Sequence, residues 1–167
     1  MYIWQNYEIK IVRGNIATKE SIQITNLESC LRLFEQHAKE VDQESFWVMA
    51  FNHQNQCTGI QELYRGTVNG APIRIAEILR LPVITQSTGV IVVHNHPTGC
   101  AEESLYDVHL TQNLYKACEL MEVELLDHLI VTGSSVISLR KKLQATDQPI
   151  WVNEDQNAIW EIQKIFE

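Results

Sequence analysis

Apolar and polar residues alternate from Tyr7 to Arg13 until Gly14-Asn15 breaks the run, the period of a half-buried strand ending in a turn. Behind Asn26, a good helix N-cap, Leu27, Cys30, Leu31, Phe34 and Ala38 recur at helical spacing and predict a first helix over about 27–40. The unbroken apolar run Phe46 to Phe51, a polar Asn-His-Gln-Asn-Gln turn and the segment Cys57 to Leu63 predict a central hairpin, with Glu44 just ahead of it. Ile73 to Leu81 has helical apolar spacing until Pro82 and the β-branched Val83-Ile84-Thr85 weaken it, so a short or bent second helix is expected.

Gly89 to His94 reads as a buried strand, Pro97-Thr98-Gly99 as a turn, and the pattern from about Ser104 to Met121 as a helix. Val123 to Val131 is a second β-rich run, Thr132 to Ser135 a turn, and Val136 to Leu139 a short closing strand. After Asp147-Gln148-Pro149, Trp151, Ala158, Ile159, Ile162 and Phe166 form an apolar stripe, as in a terminal helix that docks on the core or on a partner. The expected organisation is one domain over 1–146 and a linker with an amphipathic helix over 147–167. Trp151, Trp160 and Phe166 could pack within the chain or serve a homodimer.

Composition narrows the function classes. With 167 residues, 45% hydrophobic and 20% charged, the chain suits a single globular domain. A net charge of −8 and a pI near 5.2 disfavour direct nucleic-acid binding, because no large positive field is present to attract a phosphate backbone. Four cysteines form no CxxC pair, and the chain can bury a core without disulfides, so a reduced, cytoplasmic protein is expected. The first residues lack a basic segment followed by an apolar core, and no window approaches eighteen apolar residues; neither secretion nor a membrane partner is expected.

Chemistry concentrates in His94-Asn95-His96-Pro97-Thr98-Gly99-Cys100-Ala101-Glu102-Glu103-Ser104-Leu105-Tyr106-Asp107. Strand residues at i and i+2 share a face, so His94 and His96 can present ring nitrogens to one point. Asp107, one turn into the next helix, can bring its carboxylate to the same place. Two histidines and a carboxylate leave a fourth position open for water, the arrangement of a catalytic zinc site. Ser104 and Asp107 also have the spacing of a capping box, and both readings can hold at once.

This His94-x-His96-x7-Ser104-x-x-Asp107 pattern resembles the signature of the JAB/MPN (JAMM) metalloproteases. His-Asn-His-Pro-Thr-Gly, with the later Leu125 to Val131 run and Ser138-Leu139-Arg140, resembles the RadC-type bacterial branch, over roughly residues 40–142. The resemblance implies a three-layer α/β/α, cytidine-deaminase-like fold with a mixed central sheet. It implies Zn2+ bound by His94, His96 and Asp107, with Ser104 stabilising an oxyanion. It also implies an upstream glutamate as general acid/base, a role for which Glu44 fits the family pattern better than Glu62. The implied reaction is hydrolysis of an amide or isopeptide bond in a peptide or protein substrate, of which a ubiquitin-like C-terminus is one example.

The chain departs from the branch at Thr98, where serine is common, at Glu103, where proline is usual, and at Cys100, where a polar or acidic residue is more frequent. A Cys100 thiolate could reach the zinc, or the residue could be a plain loop cysteine. His109 lies about 200° round the helix from Asp107 and should stay out of the site. His128 is a candidate for a supporting or core group, Arg74, Glu77 and Arg80 for a helix-fixing set, and Cys30 and Cys118 for core positions. No HExxH, GxGxxG or P-loop motif is present. Two other functions compete with hydrolysis: a DNA-repair accessory role suggested by the RadC name, and a non-catalytic interaction module.

Overall fold

The computed structural model describes residues 43–66, 73–97, 99, 102–132 and 135–144. The strand expected at 7–13, the helix at 27–40, the segment 147–167, and Cys30, Thr98, Cys100, Trp151, Trp160 and Phe166 lie outside the described residues.

Strand β1 (Glu44–Phe51) and strand β2 (Cys57–Gly66) form the expected hairpin. Asn52 builds its turn, with Oδ1 accepting from the backbone N–H of Gln54 at 2.9 Å and of Gln56 at 2.9 Å. Helix α1 (Ile75–Thr85) runs through Pro82 and does not stop there. The missing proline N–H falls only three residues from the end, and the N–H groups of Ser87 and Gln86 close the helix on Pro82 O and Val83 O. Strand β3 (Gly89–Asn95), helix α2 (Leu105–Leu120) and strand β4 (Glu124–Val131) follow as a β-α-β unit.

The closing strand β5 (Val136–Ser138) is one residue shorter than expected, because helix α3 (Leu139–Gln144) begins there. Ser138 is the reason: its Oγ accepts from the Lys141 N–H at 3.0 Å, as an N-cap does.

The strands assemble in the order β2-β1-β3-β4-β5. β3 and β4 pair in parallel and the other neighbours are antiparallel, so the sheet is mixed. One face joins Phe46, Val48, Val90, Val92 and Ile130 to Ile78 and Leu79 of α1, Leu110, Leu114 and Cys118 of α2, and Leu139 and Leu143 of α3. The opposite face carries Trp47, Met49, Phe51, Ile91, Val93, Leu129 and Val131, all buried. Strict alternation along β1 and β3 divides these sets. Among the described residues every helix contributes to the first face.

β4 breaks the alternation. Val90 pairs with Leu125 but Ile91 pairs with Asp127, a bulge that adds one residue at Leu126. Leu125 therefore shares the first face with Ile130, five positions on, and His128 turns to that face as well. No helix among the described residues is long and apolar enough to cross a membrane.

Candidate metal centre

At the carboxyl end of β3, His94 and His96 project together, and the His96 N–H continues the ladder by donating to Val131 O at 3.1 Å. Across the loop from His96, Ser104 caps α2. Its Oγ accepts from the Asp107 N–H at 3.1 Å, while Asp107 Oδ2 accepts from the Ser104 N–H at 2.7 Å and from Ser104 Oγ at 2.6 Å. The capping box thus clamps the carboxylate by one oxygen and leaves the other facing His94. His94 Nε2 lies 2.9 Å from His96 Nε2 and 3.3 Å from Asp107 Oδ1, and His96 Nε2 lies 3.8 Å from Asp107 Oδ2.

These donors suit a divalent metal. Ligand atoms about 2.0–2.1 Å from a tetrahedral zinc are roughly 3.3 Å from one another, close to the separations found. Burial pushes His94 down to about 4, against the pull of Asp107, which favours an uncharged ring able to offer a lone pair at neutral pH. His94 and Asp107 are buried whereas His96 is half-buried, so the cluster opens to solvent on the His96 side.

Glu44 stands at this opening. β1 pairs with β3 at Phe46 and His94, and carrying that antiparallel register two residues further brings Glu44 opposite His96 on the same face. The side chain of Asn95 holds this end of β1 from both sides of Glu44: Oδ1 accepts from the Ser45 N–H at 2.7 Å, and Nδ2 donates to Gln43 O at 3.2 Å. Burial raises the Glu44 carboxyl above its ordinary value, His96 lowers it and Asp107 adds to the rise. Glu62, on the edge strand β2, is instead held by Arg65 at 2.8 Å and faces solvent.

Behind the His94–His96–Asp107 cluster, His128 Nε2 is 2.9 Å from His94 Nδ1, and His128 Nδ1 is 2.6 Å from Thr111 Oγ1. His128 is a supporting group and does not enter the ligand set. Leu125 to Val131 and Ser138-Leu139-Arg140 meet at Asp127, whose Oδ1 accepts from the N–H groups of His128 (2.7 Å) and Arg140 (3.1 Å) and whose Oδ2 accepts from Ser138 Oγ (2.6 Å). Glu103 is paired with Lys142 of α3, and Gly99 adopts φ +72°, the left-handed region that glycine enters without strain. His109, Arg74, Glu77 and Arg80 are exposed, and Cys118 is in the core, where burial pushes its thiol up to about 12.

His94, His96, Asp107, Ser104 and Glu44 thus come together from three separate stretches of chain. Thr111 and Asn95 were not singled out by sequence. Thr111 carries only the signal of lying one helical turn after Asp107, and Asn95 that of standing between the two histidines.

A family profile described as the RadC-like JAB domain matches residues 24–144. A UPF0758 protein of Neisseria meningitidis serogroup B is 37% identical over 123 residues, which cover 74% of this chain and 55% of that protein. A UPF0758 protein of Streptococcus sanguinis is 35% identical over 133 residues, 80% of this chain and 58% of its own length. The chain spans about half the length of these curated relatives. On the matched residues and on the mixed sheet that carries them, the chain belongs to the RadC-like JAB domain family.

Proposed function

We propose that the domain is a zinc-dependent hydrolase of amide or isopeptide bonds, with His94, His96 and Asp107 as metal ligands and Glu44 as general base. The observation that carries this reading is the convergence of donor atoms from His94, His96 and Asp107 within 4.8 Å of one another, with the Glu44 carboxyl near enough to be shifted by His96 and Asp107. When bound, the ion would supply Lewis acidity, enough to bring a water's pKa from about 15.7 to near 7.

Glu44 takes a proton from the attacking water as the water oxygen bonds to the carbonyl carbon, and returns it to the amine nitrogen as the C–N bond breaks. Its raised pKa suits both halves of that transfer. Ser104 has two tasks: its capping bonds hold Asp107, and its hydroxyl, turned from Asp107 towards substrate, stabilises the negative charge on the carbonyl oxygen.

The substrate is a peptide or protein segment in extended form, of which a ubiquitin-like C-terminus is one example. Among the described residues β2 is an edge of the sheet and its Gly66 pairs with Glu44, so a peptide paired along that edge would run towards the base. The charge of −8 argues against a role built on direct contact with DNA.

The test is metal content and turnover together. Wild-type chain purified without added metal should hold about one zinc, and His96→Ala none. Glu44→Gln should keep the zinc and lose hydrolysis of peptide and isopeptide substrates. Absence of zinc from a folded wild-type chain would overturn the reading.

A further inference from the structure

We infer that Thr111 and His128 are positioning residues that set the tautomer of His94, so that its Nε2 carries a bare lone pair before any metal arrives. This rests on the metal-holding half of the function proposed above.

The argument follows one proton at a time. Thr111 Oγ1 lies 2.6 Å from the Asp107 backbone oxygen and 2.6 Å from His128 Nδ1. A carbonyl only accepts, so the single hydroxyl proton of Thr111 goes to Asp107 O. Towards His128 the same oxygen must accept, which puts the His128 ring proton on Nδ1. His128 is fully buried, and its two ring partners, a hydroxyl and another imidazole, cannot compensate a charge, so the ring is neutral and its Nε2 has no proton. Nε2 therefore accepts from His94 Nδ1–H at 2.9 Å. His94 is left with its lone pair on Nε2, the atom that faces His96 Nε2 and Asp107 Oδ1.

The relay starts and ends on one residue. The Asp107 backbone oxygen orients Thr111, and the carboxylate of the same residue joins the ligand atoms that His94 completes. Thr111 is one turn after Asp107 in α2, which gives it reach to that carbonyl. The β4 bulge turns His128 to the face of His94. Phe46 fixes both rings, stacked on His94 with centroids 6.1 Å apart and edge-on to His128 at 6.0 Å. With Thr111, His128 and His94 all shielded from solvent, no water can substitute for a link.

The direct test is long-range proton–nitrogen NMR on the metal-free, histidine-labelled 167-residue chain, with resonances assigned through His128→Gln and Thr111→Val. His94 and His128 should both be protonated at Nδ1 in the wild type. In Thr111→Val the acceptor for His128 Nδ1–H is gone, so the pair should invert, with His94 protonated at Nε2; Thr111→Ser should restore the original state. A wild-type His94 protonated at Nε2 overturns the inference.

Zinc affinity by chelator competition gives the second readout. Thr111→Val and His128→Leu should weaken binding about 10–100-fold, whereas Thr111→Ser and His128→Gln, whose Oε1 replaces Nε2 as acceptor, should stay within about threefold of wild type. Equal losses in Gln and Leu, tracking melting temperature, would mean that His128 only fills space. If His128→Leu does not fold, the Thr111 pair still decides. If the wild type binds no zinc, the proposed hydrolase fails while the NMR result still stands or falls alone.

Discussion

Asp107, in the first turn of α2, and Asp127, within β4, are both buried carboxylates, and they use their oxygens in opposite ways. Asp127 spends both: Oδ1 accepts from two backbone N–H groups, Oδ2 accepts from Ser138, and Arg140 Nη1 bonds at 2.7 Å to Leu126 O at the bulge. Asp107 gives Oδ2 to the capping box and turns Oδ1 to His94 Nε2, which is as much in need of a cation as it is. One aspartate is a joint that ties β4, β5 and α3 together, and the other keeps an oxygen turned to the histidine cluster. Burial of a carboxylate therefore marks nothing by itself; converging lone pairs distinguish the candidate site from the joint.

The sharpest way to separate the two regions is through activity. Glu44→Gln should reduce hydrolysis about 10²–10⁴-fold at unchanged zinc content, read by turnover of a peptide or isopeptide substrate. Loss of zinc together with turnover would place Glu44 among the ligands. Asp127→Ala should do the reverse, lowering folding stability by about 3–5 kcal/mol in denaturant titrations because it leaves the buried N–H groups of His128 and Arg140 and the Ser138 hydroxyl without their acceptor. Asp107→Ala should abolish zinc binding yet cost only about 1 kcal/mol, the scale of a lost cap.

The joint also has its own pH dependence. Burial raises Asp127 to about 6 from an ordinary 3.8, against the opposing pull of Ser138, the Arg140 and His128 N–H groups and the Arg140 guanidinium. The folded state thus holds the proton more tightly than the unfolded chain, and this contribution to stability is full below pH 3.8 and lost as pH rises through 6. Relative to Asp127→Asn, which cannot titrate, the wild type should be more stable at pH 4 than at pH 7 by roughly 2 kcal/mol. An equal difference at both pH values would show that Asp127 is ionised throughout.

Asn95→Ala should lower turnover about 10- to 10²-fold with zinc retained, because the start of β1 would lose both bonds that hold Glu44 in place. The smallest effect belongs to Glu62→Gln, which should leave turnover and melting temperature at wild-type values. A large drop in turnover there would exchange the roles of the two glutamates.

Much of this was legible as pattern. The spacing of His94, His96, Ser104 and Asp107 is local, and a strand followed by a capped helix converts it to geometry with little help from elsewhere. Pro82 and Ser138 were misread for local reasons as well. A proline near a helix end removes one bond at small cost, and a serine ending a strand can cap the next helix.

Three features were beyond reach of pattern. Glu44 was a candidate by neighbourhood, but its place opposite His96 is a matter of register between β1 and β3, which no residue within either strand specifies. The turn of His128 towards His94 depends on one extra residue at Leu126, and a β-rich run such as Leu125 to Val131 reads as a strand with or without it. The Thr111 relay needs both the bulge and the seating of α2 against β4. Residue types, spacing and amphipathic period are properties of neighbours along the chain, so they survive in the sequence alone. Register, parity and the direction of a buried hydrogen bond arise between distant segments, and they exist only once the sheet has formed around them.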